Sequence, residues 1–488
     1  MERIFIREKL NNWAGFLLLT LIAVGFGYFI ARETFIGLGL FIVVLGLFTI
    51  GLCMVSIEAG LYLNIVYAFF AFHFSRFLFR NDDFPVGIIM DILIGTTFLG
   101  LLVNRINLRK SLNEFIKTPV AVGMVVLLFF LLLENFNVYG HSFEGWFQTF
   151  RRFLGSVLLL FISFNIFTDY RKIRRFIIVL FILCTITGIY ACIQQWHGLF
   201  DFELYWVTSN DNRYGLYFIM GDFRKFSTMS DPTAFAIAMA ASSIFFMIVA
   251  WHEKKTRNKI ILFTGVIFML LGMAYSGTRT ANIQLAAGML IFVLLTFNRK
   301  STKLFAVASA LIFIFLLYGP YVNSTIIRFR SSFMGSDDPS FKVRDINRAN
   351  IQPYIYTHPI GGGLGTSGAS GLRFNRGHFL AGFPPDSGYL RKAIETGWIG
   401  LALIIVLYFI VTKTGIRGYF RSRSQKLKIL YAACTASIFS FYVAEFPQEA
   451  IGQITDVVIY YPMIALILRL PFLEHKKETH EEALNNMA

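Results

Sequence analysis

Two neighbouring stretches, HPIGGGLGTSG at His358–Gly368 and PPDSGYLRKAIETGWIG at Pro384–Gly400, decide how this chain is read. Both belong to a polar segment running from Tyr318 to Glu395, rich in glycine, arginine and aromatic residues. Loops of this length are usually functional or disordered, and the glycines, aromatics and mixed charges argue against disorder. Nearly everything on either side of the segment reads as membrane. The chain of 488 residues is 56% hydrophobic and only 15% charged, with 55 Phe and a mean hydropathy of +0.61. A soluble domain cannot bury that much apolar surface, so the expected fold is an all-α polytopic integral membrane protein.

Windows of about 20 apolar residues give about fourteen candidate transmembrane helices. They fall at residues 13–31, 35–54, 58–78, 86–103, 119–137, 153–169, 176–197, 232–251, 260–277, 281–297, 304–319, 398–414, 429–446 and 455–472. The basic clusters test this count. They are Arg3/Arg7/Lys9, Arg105/Arg109/Lys110/Lys117, Arg171/Lys172/Arg174/Arg175, Lys254/Lys255/Arg257/Lys259, Arg299/Lys300/Lys303, Arg417/Arg421/Arg423/Lys426/Lys428 and Lys476/Lys477. With fourteen spans all of them land on one side, which is then the cytoplasm and holds both termini. The formal charge of +16 thus marks cytoplasmic loops, and no nucleic-acid partner is expected. The N-terminal MERIFIREKLNN is basic, and the apolar run after it lacks a small-residue cleavage site, so no cleavable signal peptide is expected. Cys53, Cys184, Cys192 and Cys434 all fall inside apolar spans and read as packing residues, neither a disulfide framework nor a thiolate metal site.

The outer side receives short loops near 80–85, 138–152, 278–280 and 447–454, and two long ones at 198–231 and 320–397. The expectation is one membrane domain over residues 1–488, with an outer cap built from the long loops and the candidate active site in the larger.

That loop holds Arg328, Arg330, Lys342, Arg344, Arg348, Arg373, Arg376, Arg391 and Lys392 against Asp337, Asp338, Asp345, Asp386 and Glu395. Nine basic against five acidic residues leaves an excess of four on a translocated segment. One reading is an anionic, phosphate-bearing substrate, since guanidinium binds phosphate bidentately; the other is a solvated surface with local ion pairs. Arg279, in AYSGTRTAN, sits between two apolar runs with almost no loop, where it either snorkels or meets a head-group phosphate. Arg224, in GDFRKFSTMSDPTAF, precedes an outer helix start and reaches the same layer.

Asp386 is either a general base beside a hydroxyl acceptor or a turn and capping residue. The glycines at 361, 362, 363, 365 and 368 allow close approach of a ligand or simply a turn. His358 and His378 lie outside too, with no carboxylate spacing that suggests a metal, so neither metal nor cofactor is expected. Asp91 is expected to pair with Arg76. Glu134, Glu445 and Glu449, near outer helix ends, are either partners for the arginines or interfacial residues.

The order of these features resembles the O-antigen ligase/polymerase superfamily of bacterial envelope proteins. The matching segments are FRKFSTMSDP, SGTRTA, VRDINRANIQPYIYTHPIGGGLG and DSGYLRKAIETGWIG, within roughly residues 220–415. The resemblance implies a GT-C-like, metal-independent glycosyltransferase at the outer face of the bacterial inner membrane. Its donor is a glycan on undecaprenyl diphosphate, its acceptor a glycan or lipid-linked hydroxyl, and a chain-length regulator is a candidate partner. Carried over residue by residue, it puts Arg224, Arg279 and Arg344 at the diphosphate, Gly363, Gly365 and Tyr389 in the loop contacts, and Asp386 as base. Counted back from Tyr389, Asp386 stands where the family carries His. That change favours a polymerase joining repeat units over a ligase acting on lipid A-core in lipopolysaccharide. A lipid-linked oligosaccharide flippase or exporter is the reading from another class; it calls for charge in a central cavity, whereas the distinctive charges here are assigned to outer loops.

Overall fold

The structure, a computed structural model, describes residues 12–32, 34–79, 84–104, 108–219, 221–321, 323–334 and 339–485. Arg3, Arg7, Lys9, Arg105, Asp337 and Asp338 lie outside the described residues, as do most of the 80–85 loop and the side chains of Lys342, Lys476 and Lys477.

The chain is almost wholly helical. A hairpin of α1 (Trp13–Arg32) and α2 (Thr34–Val55) is followed by α3 (Ile57–Phe79), α4 (Val86–Val103) and a short α5 (Leu108–Ile116). Next come α6 (Pro119–Leu133), prolonged by a 3-10 turn at Glu134–Phe136, then α7 (Phe143–Ile166) and α8 (Tyr170–Trp196). The predicted 198–231 loop folds into α9 (Asp201–Thr208), α10 (Asp211–Tyr217) and a hairpin of β1 (Phe218–Ile219) and β2 (Asp222–Phe223), with Phe218 opposite Phe223. Then follow α11 (Pro232–His252), α12 (Thr256–Tyr275), α13 (Arg279–Thr296) and α14 (Lys300–Tyr318). The predicted 320–397 loop contains three helices, α15 (Ser324–Met334), α16 (Pro339–Thr357) and α17 (Gly368–Phe374), before α18 (Gly388–Arg421), α19 (Gln425–Ala444) and α20 (Ile454–Asn485).

Among the described residues twelve helices are long and apolar enough to cross a membrane: α3, α4, α6 with its 3-10 turn, α7, α8, α11 to α14, α18, α19 and α20 over Ile454–Glu474. The remaining two predicted spans coincide with α1 and α2, which contribute shorter apolar stretches, Trp13–Gly25 and Val43–Val55. The protein is a multi-pass membrane protein.

Local chemistry starts these helices. Asp231 caps α11 by accepting from Thr233 N and Ala234 N, both at 2.9 Å, with Pro232 in the first helical position, where its missing N–H is harmless. Ser142 caps α7 through Gly145 N and Asp169 caps α8 through Arg171 N and Lys172 N. Helix α11, with 83% of its span buried, is the innermost element. Its small residues (AFAIAMAASS) let α12, α13 and α19 approach closely, and Gly288 of α13 lies directly against the Ala436 carbonyl of α19.

Contacts at the two ends fix the helix directions. Arg175 pairs with Glu58 at 2.8 Å, Arg469 with Glu114 at 2.6 Å, and Arg299 donates to Gln425. The described members of the basic clusters therefore share one end of the bundle. Gln284 donates to Ser440 Oγ and to the Ile237 carbonyl nearer the opposite end, so α13 and α19 are antiparallel.

At that opposite end α18 is broken. Gly397 has φ +65° and ψ −177°, a backbone conformation open essentially to glycine alone. The break exposes carbonyls, and the glycine run fills it: Gly362 N donates to the Ile394 carbonyl and Gly363 N to that of Glu395, each at 2.9 Å. Backbone meets backbone here, because a Cβ on Gly361 would lie 2.4 Å from Gly397 N. Gly397→Ala would push a Cβ to 2.0 Å from the Pro359 carbonyl oxygen as well as forbid the conformation. It is expected to cost about 2–4 kcal/mol, read as a fall in thermal unfolding temperature of the purified protein; wild-type stability in this variant would refute the account of the break.

Candidate functional site

Two groups of polar residues are assembled at the end of the bundle opposite the basic clusters. The first is built on the turn between α12 and α13. Arg224, immediately after β2, donates through Nε to the Ser276 carbonyl at 2.9 Å and through Nη2 to Thr278 Oγ1 at 2.9 Å. Arg279 is the first residue of α13. Arg328, on α15, is buried, donates to the Ile219 carbonyl and lies over Gly277, where a Cβ would collide with its guanidinium. Burial first, and then Arg328 and Arg279, hold Arg224 below the ordinary guanidinium range, partly offset by Asp231 and Tyr217. Arg328 is lowered by burial and by Arg279, with Asp222 opposing. Arg279 thus disfavours the charge of both neighbours, and Arg328 that of Arg224. Asp222 is itself engaged by the buried Lys225 at 3.0 Å. Such an arrangement is relieved by an anion.

The second group lines a cavity of about 930 Å³ between α3, α4, α6, α7, α18 and the start of α20. Asp91 and Arg151 form an ion pair at 2.7 Å across it. Arg391 bridges Glu395 and Glu449, and Lys392 pairs with Glu445. Arg152 and Arg373 also face the cavity; their side chains make no hydrogen bond or ion pair among the described residues. The lining takes in Phe72–Arg76 of α3, Val86–Ile94 of α4, Phe143–Ser156 of α7 and Ile454–Tyr461 of α20, all near this end, and reaches deeper at Met124 and Leu127 of α6 and at Leu407 and Tyr408 of α18. The segment from Tyr217 to Asp231 separates the two groups, with Arg224 on one side and Arg76 on the other.

Several expectations need revision. Arg76 does not pair with Asp91; it is buried, donates to the carbonyls of Met229 at 2.7 Å and Ser227 at 3.2 Å, and lies 4.6 Å from the Phe226 ring centroid. Those carbonyls and rings satisfy the cation without a carboxylate, and Asp91 turns to Arg151. The distinctive charges are not confined to loops either, because α7 begins at Phe143 and carries Arg151 and Arg152 in its third turn. The capping Ser142 was the signal in the sequence that marks this earlier start.

The other predicted residues are placed as follows. Asp386 immediately precedes Ser387, the N-cap of α18, is half-buried and makes no hydrogen bond or ion pair among the described residues. Arg344 lies one helical turn before Arg348 on α16, and Arg348 reaches the Phe446 carbonyl and ring at the end of α19. Gly363 and Gly365, with φ +93° and +73°, pack against Gly140 and Gly145. Tyr389 donates to the Tyr442 carbonyl at 2.9 Å. Arg330 caps the end of α14 through the carbonyls of Leu316 and Gly319.

Glu445 resolves as an organiser. It is fully buried, accepts from Ala450 N and Ile451 N at 2.8 Å and from Lys392, and its carbonyl accepts from Gly388 N. Burial pushes its carboxyl up and the Lys392 ammonium pulls it back. Glu445→Ala strips Lys392 and two backbone donors of their acceptor and is expected to cost about 3 kcal/mol, with Glu445→Gln losing less. Equal losses in the two variants would show that the charge alone, and not the hydrogen bonds to the acceptor oxygens, holds the α18 N-terminus.

Residues 264–405 match the family model described as O-antigen ligase. That match runs from α12 into α18 and takes in Arg279, Arg328, Arg344, the glycine run and Asp386. It supports a member of the O-antigen ligase/polymerase superfamily, which implies a glycosyltransferase- or ligase-type enzyme acting on lipid-linked glycans among membrane lipids. No curated protein matches the chain.

Proposed function

We propose that this member of the O-antigen ligase/polymerase superfamily is a GT-C-like, metal-independent glycosyltransferase that polymerises glycan repeats carried on undecaprenyl diphosphate. The observation that carries the reading is the convergence of Arg224, Arg279 and Arg328 at one end of the bundle, with Arg224 and Arg328 each lowered by burial and by a neighbouring guanidinium. A diphosphate is an anion that such a cluster would bind. The end that carries them is the extracytoplasmic one, because the basic clusters occupy the other, and both termini then lie in the cytoplasm.

In this scheme a hydroxyl of the acceptor attacks the anomeric carbon of the donor glycan. A new C–O bond forms, the bond from the anomeric carbon to the diphosphate oxygen breaks, and the lipid diphosphate departs with the electron pair. Charge grows on the departing oxygen, where pre-placed guanidiniums are most effective. The acceptor proton passes to Asp386, at the start of α18. Arg279 shares the level of that start: Gln284, five residues on, meets Ser440, and Glu445, five residues past Ser440 in the antiparallel helix, binds Gly388 N.

A second reading has an observation of its own. Charges on α4, α7 and α18 line an internal cavity, as a flippase or exporter of lipid-linked oligosaccharide requires. The match to the O-antigen ligase family model supports the enzyme over the transporter.

Arg279→Ala and Arg328→Ala are each expected to lower chain growth by about 100-fold or more, with normal accumulation in the membrane. Arg279→Lys should recover only part of it, because a point charge replaces a planar fork. Asp386→Ala should also stop growth; full activity would remove this residue from the mechanism. The size distribution of lipid-linked and surface glycan in a deletion strain separates the readings. Single repeats on lipid support the polymerase. Long chains held on undecaprenyl diphosphate convert it to a ligase, and repeats trapped on the cytoplasmic side leave the transporter.

A further inference from the structure

Beside the cavity mouth stands a stack of aromatic rings that the charged groups do not use. Tyr354 of α16 and His358, just past its end, are four residues apart and stack with ring centroids 3.9 Å apart and planes at 13°. Phe379 stacks on Tyr354 at 5.4 Å and 21°, and Tyr139 meets His358 edge-on at 4.7 Å. The stack has its own foundation, a small core of Ile351, Leu380 and Ile394 against which Tyr354 packs. Gly362 makes room for it, since a Cβ there would lie 2.7 Å from the Tyr354 hydroxyl and 2.8 Å from His378 Cε1. His378 is fixed as well: its Nδ1 accepts from Leu380 N at 3.1 Å. Burial, and then His141 and His358, hold its imidazole below the ordinary range, so it is a neutral ring at pH 7.

The outcome is unusual for a polar surface. Phe379 is 73% exposed although its orientation is set by Tyr354. One face of the ring is occupied and the other is offered to solvent. Around it lie hydrogen-bonding groups: the Tyr139 and Tyr354 hydroxyls and the imidazoles of His141, His358 and His378. The imidazoles are not placed to share a metal, because no group of three or more His, Cys, Asp or Glu among the described residues is so arranged. A fixed aromatic face ringed by hydroxyls and imidazoles fits a pyranose: its polarised C–H face packs on the electron-rich ring, and its hydroxyls bond the rim. An interfacial lipid anchor needs no such fixed stacking, since Tyr and Trp serve there as single amphipathic rings. The stack also adjoins the cavity, for Phe143, Leu364 and Phe374, which line it, are each within four residues of His141, Gly362 or His378.

We propose that the Phe379–Tyr354–His358 stack is a saccharide subsite that seats a neutral sugar of the glycan while its diphosphate, or the acceptor hydroxyl, is engaged elsewhere. The inference rests on the glycosyltransferase reading and adds the place where sugar identity is recognised. The probe is the single-repeat oligosaccharide released by mild acid from the producing strain's lipid-linked glycan, titrated into the full-length protein in nanodiscs. Wild type is expected to bind it, with saturation transfer strongest on the C–H protons of one sugar. Phe379→Ala, at an exposed position, should weaken binding about five- to ten-fold, and Phe379→Trp should keep it. Arg279→Ala should bind the delipidated probe like wild type while failing to extend chains, so loss of catalysis and loss of sugar recognition are read separately. No binding by wild type, or equal binding by Phe379→Ala, overturns the subsite; if equal binding is accompanied by weaker association with phospholipid vesicles, the ring is a membrane anchor instead.

Discussion

The break in α18 is the constraint on which this end of the molecule depends. A helix cannot open inside or beside a membrane unless the freed backbone groups find protein partners. At Gly397 they do: the amides of Gly362 and Gly363 take the carbonyls of Ile394 and Glu395, and the Pro359 carbonyl accepts from Ile399 N at 3.2 Å. The same junction carries side-chain chemistry, since Ser367 donates to the Glu395 carboxylate through both its hydroxyl and its amide. The glycine run is therefore a backbone plug. By locking the first turns of α18 it aims Arg391, Lys392 and Glu395 at the cavity and sets Asp386 just ahead of the helix.

The two polar groups at this end differ in how their charge is balanced. In the cavity, Asp91, Glu395, Glu445 and Glu449 cancel Arg151, Arg391 and Lys392 pair by pair. Around Arg224 and Arg328 burial and neighbouring guanidiniums lower the charged forms, with Asp231 and Asp222 opposing. Arg279 and Arg328 lie in the same 264–405 stretch that matches the family model. Guanidiniums placed in advance favour most a ligand whose negative charge grows during reaction.

Much of the architecture was legible in the sequence, because apolar windows, capping residues and basic clusters are local signals. Asp231–Pro232 announces α11, and the described basic clusters gather at one end of the bundle. What was not legible is tertiary. Arg76 and Asp91 looked like partners only because their spans are adjacent; the carbonyls of Ser227 and Met229, more than 150 positions away in sequence, satisfied the arginine instead. Arg328 was one of nine basic residues in its loop until α15 laid it over Gly277. The second arginine pair was hidden because α7 starts at Phe143, ahead of the apolar window at 153. The glycines were read for ligand or turn when their neighbour is another backbone.

Donor chemistry cannot distinguish a polymerase from a ligase, because both leave the same lipid diphosphate on the same arginines. The distinction lies in the acceptor, so it must be encoded where the acceptor sugar rests. Charge discriminates poorly there, because neutral sugars differ in the orientation of hydroxyls and a guanidinium cluster sees them all alike. A stacked ring fixes one face of the sugar, and the groups around the rim then test which hydroxyls point outward. In the proposed scheme these duties lie apart: arginines gather at the α12–α13 turn, and the Tyr354–His358–Phe379 stack gathers at the end of α16. Substitutions at the first are expected to alter every reaction the protein performs, whereas substitutions at the second alter which glycan it accepts.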